Sequence, residues 1–208
     1  MVRAWIADVT PLYEERCYRK YYDCLPDFRK EKADALRTVE MKAQSVGVWA
    51  LWEQIRAEYG LTADAVFNLS HSGNYVMCAA GLDGSHERVG CDLEKIGKLR
   101  EKVAARFFCR EECEAILREG SEKAKTELFY RYWVLKESFM KATGKGMALP
   151  MDSFCIRMGE PPVLVRQPEE FQEQYYYAEY KIEELPYRMA VCSTDGKIDV
   201  RLHTELKL

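Results

Sequence analysis

The chain has 208 residues, 48% of them apolar, and its 34 acidic against 31 basic side chains leave a net charge of −3. That is enough chain to bury a full core, as one large domain or two small ones, and the charge balance excludes a general attraction to nucleic acid. No apolar run is long enough to cross a bilayer, and Met1-Val-Arg-Ala-Trp-Ile-Ala-Asp8 breaks too early for a signal peptide.

In chain order, residues 2–9 read as a strand, and Thr10-Pro11 supplies a cap and first-turn pair for a helix through Tyr22. Helices follow over 27–37 and 39–58, the second stopped by Gly60. Strands at 65–70, 75–80 and 87–94 complete a first half. The second half reads as helices near 99–108, 110–119 and 121–143, then strands near 154–158, 175–182, 188–193 and 198–202. The fold class is α+β, divided at 1–88 and 89–208. Asn74-Tyr-Val-Met-Cys-Ala-Ala-Gly-Leu-Asp-Gly84 parallels Pro186-Tyr-Arg-Met-Ala-Val-Cys-Ser-Thr-Asp-Gly196 at Tyr, Met, Asp and Gly, so the halves read as related. Eight cysteines include no Cys-x-x-Cys pair and mostly sit in apolar runs, which predicts buried free thiols in a reducing compartment. Cys109 and Cys113 share a helix face, but no His lies near them to complete a zinc site. A cytoplasmic location without membrane or nucleic-acid partners is expected.

Three segments carry chemistry. Phe67-Asn-Leu-Ser-His-Ser-Gly73 places two hydroxyls and an imidazole, Ser70 and His71 among them, at a tight turn suited to phosphate. Ser70 and His71 are adjacent on a strand and so face opposite ways, and no Gly-x-Ser-x-Gly elbow occurs, which excludes a hydrolase triad. In Arg88-Val-Gly-Cys-Asp-Leu-Glu94, Val89, Cys91 and Leu93 alternate with Gly90, Asp92 and Glu94. Both carboxylates then share one strand face, about 7 Å apart. That pattern fits either a solvated acidic face or a hard-cation site, with Gly90 clearing space for a ligand. Tyr130 to Thr143 reads as a helix apolar nearly all round that nonetheless carries Lys136, Glu137 and Lys141. Glu137 and Lys141 lie one turn apart on one face above Trp133, either as a surface ion pair or as part of a site.

Taken in order and spacing, these three segments resemble the signature of the Sfp-type 4'-phosphopantetheinyl transferases. Ala105-Arg-Phe-Phe-Cys-Arg-Glu-Glu112 and Gly144-Lys-Gly-Met-Ala-Leu-Pro150 are also similar to that family's Phe-Phe helix and to the turn after its Lys-Glu helix. The resemblance runs from about Val66 to Phe154 and is thin elsewhere. It implies transfer of phosphopantetheine from coenzyme A to a serine of an acyl or peptidyl carrier protein, releasing 3',5'-ADP. It also implies a pseudo-twofold pair of similar α+β halves with the ligand cleft between them, in a monomer.

By the same resemblance, Asp92, Glu94 and Glu137 would hold Mg²⁺, with Mn²⁺ as the alternative, against the coenzyme A pyrophosphate. Ser70 and His71 would contact coenzyme A phosphates, and Lys136 and Lys141 would lie along them. Glu137, or a metal-bound water, would be the base for the serine hydroxyl, so Asp92, Glu137 and Lys141 are the expected catalytic residues. Arg29-Lys-Glu-Lys32 resembles the stretch reaching the 3'-phosphate, with Ser45 at a nearby hydroxyl position; the same run also fits a solvated helix face. The family's Gly-Lys-Pro segment bordering the adenine pocket is absent, because residues 57–66 run straight into the strand.

Lys95, Lys98, Arg100, Lys102, Arg106 and Arg110 face a single acid, Glu101, within sixteen residues of a net-acidic chain. This strip, 95–110, is the expected docking surface for an acidic carrier. The residues alone also admit another Mg²⁺-dependent phosphoryl enzyme or a non-catalytic coenzyme A or carrier binder.

Overall fold

The computed structural model describes residues 1–84 and 87–208. β1 (Val2–Asp8) leads into a 3₁₀ turn (Thr10–Tyr13), α1 (Glu15–Tyr22), α2 (Asp27–Asp34) and α3 (Val39–Glu58), followed by β2 (Phe67–Ser72) and β3 (Tyr75–Gly81). β4 (Val89–Lys95) precedes α4 (Glu101–Phe107), α5 (Arg110–Arg118) and α6 (Glu122–Ala142). The chain ends with β5 (Cys155–Arg157), β6 (Val163–Arg166), β7 (Tyr176–Tyr180), β8 (Tyr187–Ser193) and β9 (Ile198–His203). The mixed α+β class is as expected. The helix expected through Tyr22 is broken at Glu14, whose extended backbone separates the 3₁₀ turn from α1. The β5–β6 hairpin partner Val163–Arg166 was not predicted from the sequence.

Both long helices have hydroxyl caps: Thr38 accepts from the Met41 amide at the head of α3, and Ser121 from the Ala124 amide at the head of α6. Each is followed within two residues of its end by a glycine at positive φ, Gly60 at +61° and Gly144 at +73°, where a side chain would be strained.

Two sheets form the frame, in strand order β2-β3-β1-β9 and β4-β8-β7. The first runs β1, α3, β2, β3 with the last strand in the middle; the second runs β4, α6, β7, β8 with the same arrangement. β9 crosses back to pair in parallel with β1. The period of two sorts side chains between faces. Trp5 and Ala7 of β1 pack beneath α3, whereas Val2, Ala4 and Ile6 meet Val89, Cys91 and Leu93 of β4 and Met189 and Val191 of β8. The sheets therefore pack on each other, with α3 covering one outer face and α6 the other. Neither sheet can bury two apolar faces with one helix, so each takes the other as its second cover.

The expectation of buried free thiols holds for Cys78, Cys91 and Cys192 and is corrected elsewhere: Cys24 is exposed, Cys17 and Cys113 are half-buried, and one pair is oxidised. Cys109 and Cys155 are joined as a disulfide with Cα atoms 5.9 Å apart, while Cys17, Cys24, Cys78, Cys91, Cys113 and Cys192 are free. The partners are 46 residues apart, so only the packing of α5 on β5 brings them together. Among the described residues, no helix is long and apolar enough to cross a membrane.

Candidate active site

β2 and β4 are neighbouring edge strands of different sheets, and their seam is closed by side chains. The amides of Cys91, Leu93 and Lys95 donate to Asn68 Oδ1, Ser70 Oγ and Ser72 Oγ at 3.1, 3.4 and 3.1 Å. Every second residue of β2 thus satisfies every second amide of β4 in a polar ladder. The same hydroxyls donate onward: Ser70 Oγ to Asp92 Oδ1 at 2.8 Å and Ser72 Oγ to Glu94 Oε2 at 2.8 Å.

Asp92 and Glu94 face α6, as their spacing predicts. Gly90 shares that face, but the ligand-clearance reading is corrected. A Cβ there would strike the Ser138 carbonyl and the Ala142 amide, so Gly90 admits the α6 backbone. This close approach sets Glu137 and Lys141 over the two β4 acids. Lys141 Nζ binds Asp92 Oδ1 at 2.8 Å, Ser70 Oγ at 3.0 Å and the Cys91 carbonyl at 3.0 Å. Burial pulls the Lys141 ammonium down, but Asp92 beside it prevails and holds it above the usual lysine range. Both Lys141 and Ser70 are therefore engaged with Asp92.

Glu137 is pushed up to about 7, first by burial and then by the Asp92 charge, with Lys141 opposing and Glu94 adding to the rise. Glu94 is also raised, chiefly by burial and by Asp92. The Asp92 charge therefore bears on both glutamates. Asp92 Oδ2 is buried without a partner, which is costly for a carboxylate oxygen unless an ion takes it. Oxygen donors of this kind suit Mg²⁺ or Mn²⁺.

On the other face of β2, His71 lines a cavity of about 230 Å³ with Arg29, Lys32, Gln44 and Ser45. Arg29 donates to the Ser45 carbonyl at 2.7 Å and lies over Trp49, while its Nε and the Ser45 hydroxyl are buried and unpartnered. Burial lowers the Arg29 guanidinium. Burial, with Lys141, Lys32 and Arg29 nearby, also lowers the His71 imidazole against a weaker pull from Asp92. Arg29, Lys32 and the Ser45 hydroxyl, unpartnered among the described residues, thus line one cavity, a donor set that suits an anion.

Lys136 does not belong to this group, and its expected phosphate contact is overturned. It is fully buried, paired with Glu112 at 2.9 Å, and donates to the Met151 and Phe154 carbonyls. One residue from Glu137 on a helix is about 100° of rotation, which turns Lys136 toward the β5 side. Ser72 and Gln44 were missed; Ser72 was legible as the next same-face residue after Ser70. A larger cavity of about 730 Å³ lies beside β7, where Arg131 and Glu179 are bonded to each other at 2.7 Å and Glu160 is the other charged lining residue.

Asp92, Glu94 and Glu137 thus lie on one side of β2, and the cavity lined by Arg29, Lys32 and His71 on the other. The model of the 4'-phosphopantetheinyl transferase superfamily matches residues 88–192. The chain is 30% identical over 212 residues to a 4'-phosphopantetheinyl transferase of Bacillus subtilis, covering 97% of this chain and 91% of that one. It is 35% identical over 130 residues to the 4'-phosphopantetheinyl transferase Sfp of Bacillus subtilis strain 168, covering 62% of this chain and 55% of that one. The matches thus span about half the length of one relative and nearly all of the other. The holo-[acyl-carrier-protein] synthase structure of Thermotoga maritima overlaps 51% of this chain and 61% of its own, at 20% identity and a TM-score of 0.44. The chain belongs to the 4'-phosphopantetheinyl transferase superfamily.

Proposed function

We propose that the protein transfers the 4'-phosphopantetheine group of coenzyme A to a serine of an acyl or peptidyl carrier protein. The observation that carries this reading is the buried, unpartnered Asp92 Oδ2 within an acid cluster that adjoins the Arg29–Lys32–His71 cavity. Asp92, Glu94 and Glu137 would hold Mg²⁺ or Mn²⁺. The ion, when bound, neutralises charge on the pyrophosphate oxygens. Arg29, Lys32, Ser45 and His71 bind the 3'-phosphate end of coenzyme A. Lys141, with Ser70, holds Asp92 Oδ1 in place, leaving Oδ2 for the cation.

The serine oxygen attacks the phosphorus bearing the pantetheine arm, an O–P bond forms, and the bond to the leaving phosphate breaks to release 3',5'-ADP. Glu137 accepts the hydroxyl proton, the role a positioned carboxylate can fill for a serine hydroxyl. Displacement of this kind rests on alignment and charge neutralisation more than on covalent help.

At the scale of the fold, the matching β1–α3–β2–β3 and β4–α6–β7–β8 units support a pseudo-twofold pair divided near 88/89, with β9 returning to the first unit. The central strands β3 and β8 carry the shared Tyr and Met, and the shared Asp-Gly follows each strand. Both walls of the site come from one chain, so a monomer suffices. Lys95, Lys98, Arg100, Lys102 and Arg106 are exposed around α4 and would dock an acidic carrier, while Arg110 pairs with Glu114 at 2.8 Å.

The test is to incubate the protein with coenzyme A, Mg²⁺ and an apo carrier and record the intact carrier mass. The wild type should add one phosphopantetheine group, and Glu137→Gln should slow this at least about a thousandfold. Coenzyme A binding without any mass gain on acyl or peptidyl carriers would overturn the transferase reading in favour of a binding protein.

A further inference from the structure

We infer that Lys136 and Glu112 act as one positioning device that sets Glu137 over Asp92 and Glu94; the inference rests on the proposed role of that acid cluster. Asp92 is held by Ser70 and Lys141, and Glu94 by Ser72. Among the described residues, no hydrogen bond or ion pair reaches the Glu137 carboxylate, so its place depends on the backbone of α6.

That backbone is held on two sides within one turn and a half. On the β4 side it rests on Gly90, where the Ser138 carbonyl and Ala142 amide leave no room for a Cβ. On the β5 side all three Lys136 ammonium donors are engaged, by Glu112 at 2.9 Å, the Met151 carbonyl at 2.8 Å and the Phe154 carbonyl at 2.9 Å. The Phe154 ring lies 4.2 Å from the same ammonium. Glu112 is itself fixed by the amides of Cys109 at 3.1 Å and Ile156 at 2.8 Å. A single buried ion pair therefore ties α6, the head of α5 and the start of β5 together, one residue from Glu137. Both side chains are fully buried, at 0% and 1% exposure.

Fold stability alone does not call for such a pair. Well-packed apolar residues of similar volume usually serve as well or better, whereas directional bonds fix helix rotation and register. A small shift of a reacting group can lower turnover about a hundredfold, so a device that prevents it acts on rate.

Three variants separate this from a merely structural role. Lys136→Met leaves the Glu112 charge buried and unpaired, so the Lys136→Met/Glu112→Gln double variant removes both charges together. Glu112→Asp keeps the pair and the fold but draws the anchor back by one methylene. Each is measured for thermal midpoint, for coenzyme A-dependent carrier modification against Mg²⁺ concentration, and for amide exchange over 133–142. We expect the folded double variant to lose about thirtyfold or more in kcat, with KM for coenzyme A changed by less than about threefold. Half-saturation by Mg²⁺ should rise about tenfold, and exchange over 133–142 should quicken. Glu112→Asp should show the same pattern, several-fold weaker.

Wild-type kcat and Mg²⁺ dependence in any folded variant would overturn the inference. So would lost activity with unchanged exchange, which would place Lys136 at the reacting atoms. If the wild type itself modifies no carrier, the functional reading fails separately, while exchange and Mg²⁺ binding still report on the anchor.

Discussion

Glu137 carries an unusual burden for a side chain that has no bonding partner among the described residues. Burial and the Asp92 charge keep its carboxyl protonated to about pH 7, so in the metal-free protein the folded state binds that proton more tightly than the unfolded chain does. The linked stability is fully present below the ordinary glutamate range and is lost as pH rises through about 7. A divalent cation must displace the proton, so its stabilising effect should grow over the same interval. The Mg²⁺-induced rise in thermal midpoint should be larger at pH 7.5 than at pH 5.5, and Glu137→Gln should flatten that difference. An equal rise at both pH values in the wild type would place the cation elsewhere. Residue identities of this site were legible in the sequence: the period of two put Asp92 and Glu94 on one face, and helical spacing put Glu137 with Lys141. Lys136 shows the limit, because a motif names a lysine without saying which side of the helix holds its partner.

At the scale of elements, the contact between β4 and α6 is the critical one. Gly90→Ala would force the Ser138 and Ala142 backbone away from the strand, since neither can yield as a flexible side-chain end could. Overpacking of this kind should destabilise the protein by about 3 kcal/mol and reduce activity through the displaced Glu137, read from urea denaturation and carrier modification. Stability unchanged in that variant would mean that α6 sits farther from β4. The Cys109–Cys155 link joins the start of α5 to β5 and encloses α6 within its loop. Under non-reducing conditions, Cys155→Ser should lower unfolding stability by about 2–4 kcal/mol, and a reductant should erase the difference from wild type. Most element boundaries could be read from caps and periodicity, α3 to the residue. The Cys109–Cys155 pairing and the β5–β6 hairpin could not, because both depend on how distant segments pack.

For the whole molecule, function requires a surface as well as a site. The protein is net acidic, yet the stretch around α4 is a solvent-exposed run of cations. Charges at an interface rim act mainly on encounter rate and salt sensitivity. Reversing Lys98 and Lys102 to Glu should lower kcat/KM for an acidic carrier about tenfold at low salt, with KM for coenzyme A unchanged and the gap narrowing as salt rises. A loss shared equally by carrier and coenzyme A would point to a damaged fold.

Residue types at short, regular spacing were enough for the mixed α+β class, for the family signature and for the shared strand face of Asp92 and Glu94. Only the tertiary structure decided which groups meet across the seam. Ser70 and Ser72 reach the two β4 acids because the edges of two sheets adjoin. Lys141 turns to Asp92 and Lys136 to Glu112 because the backbone of α6 lies against Gly90. Hydrogen bonds and ion pairs act over a few ångströms, and which atoms come that close is settled by packing between segments far apart in the chain.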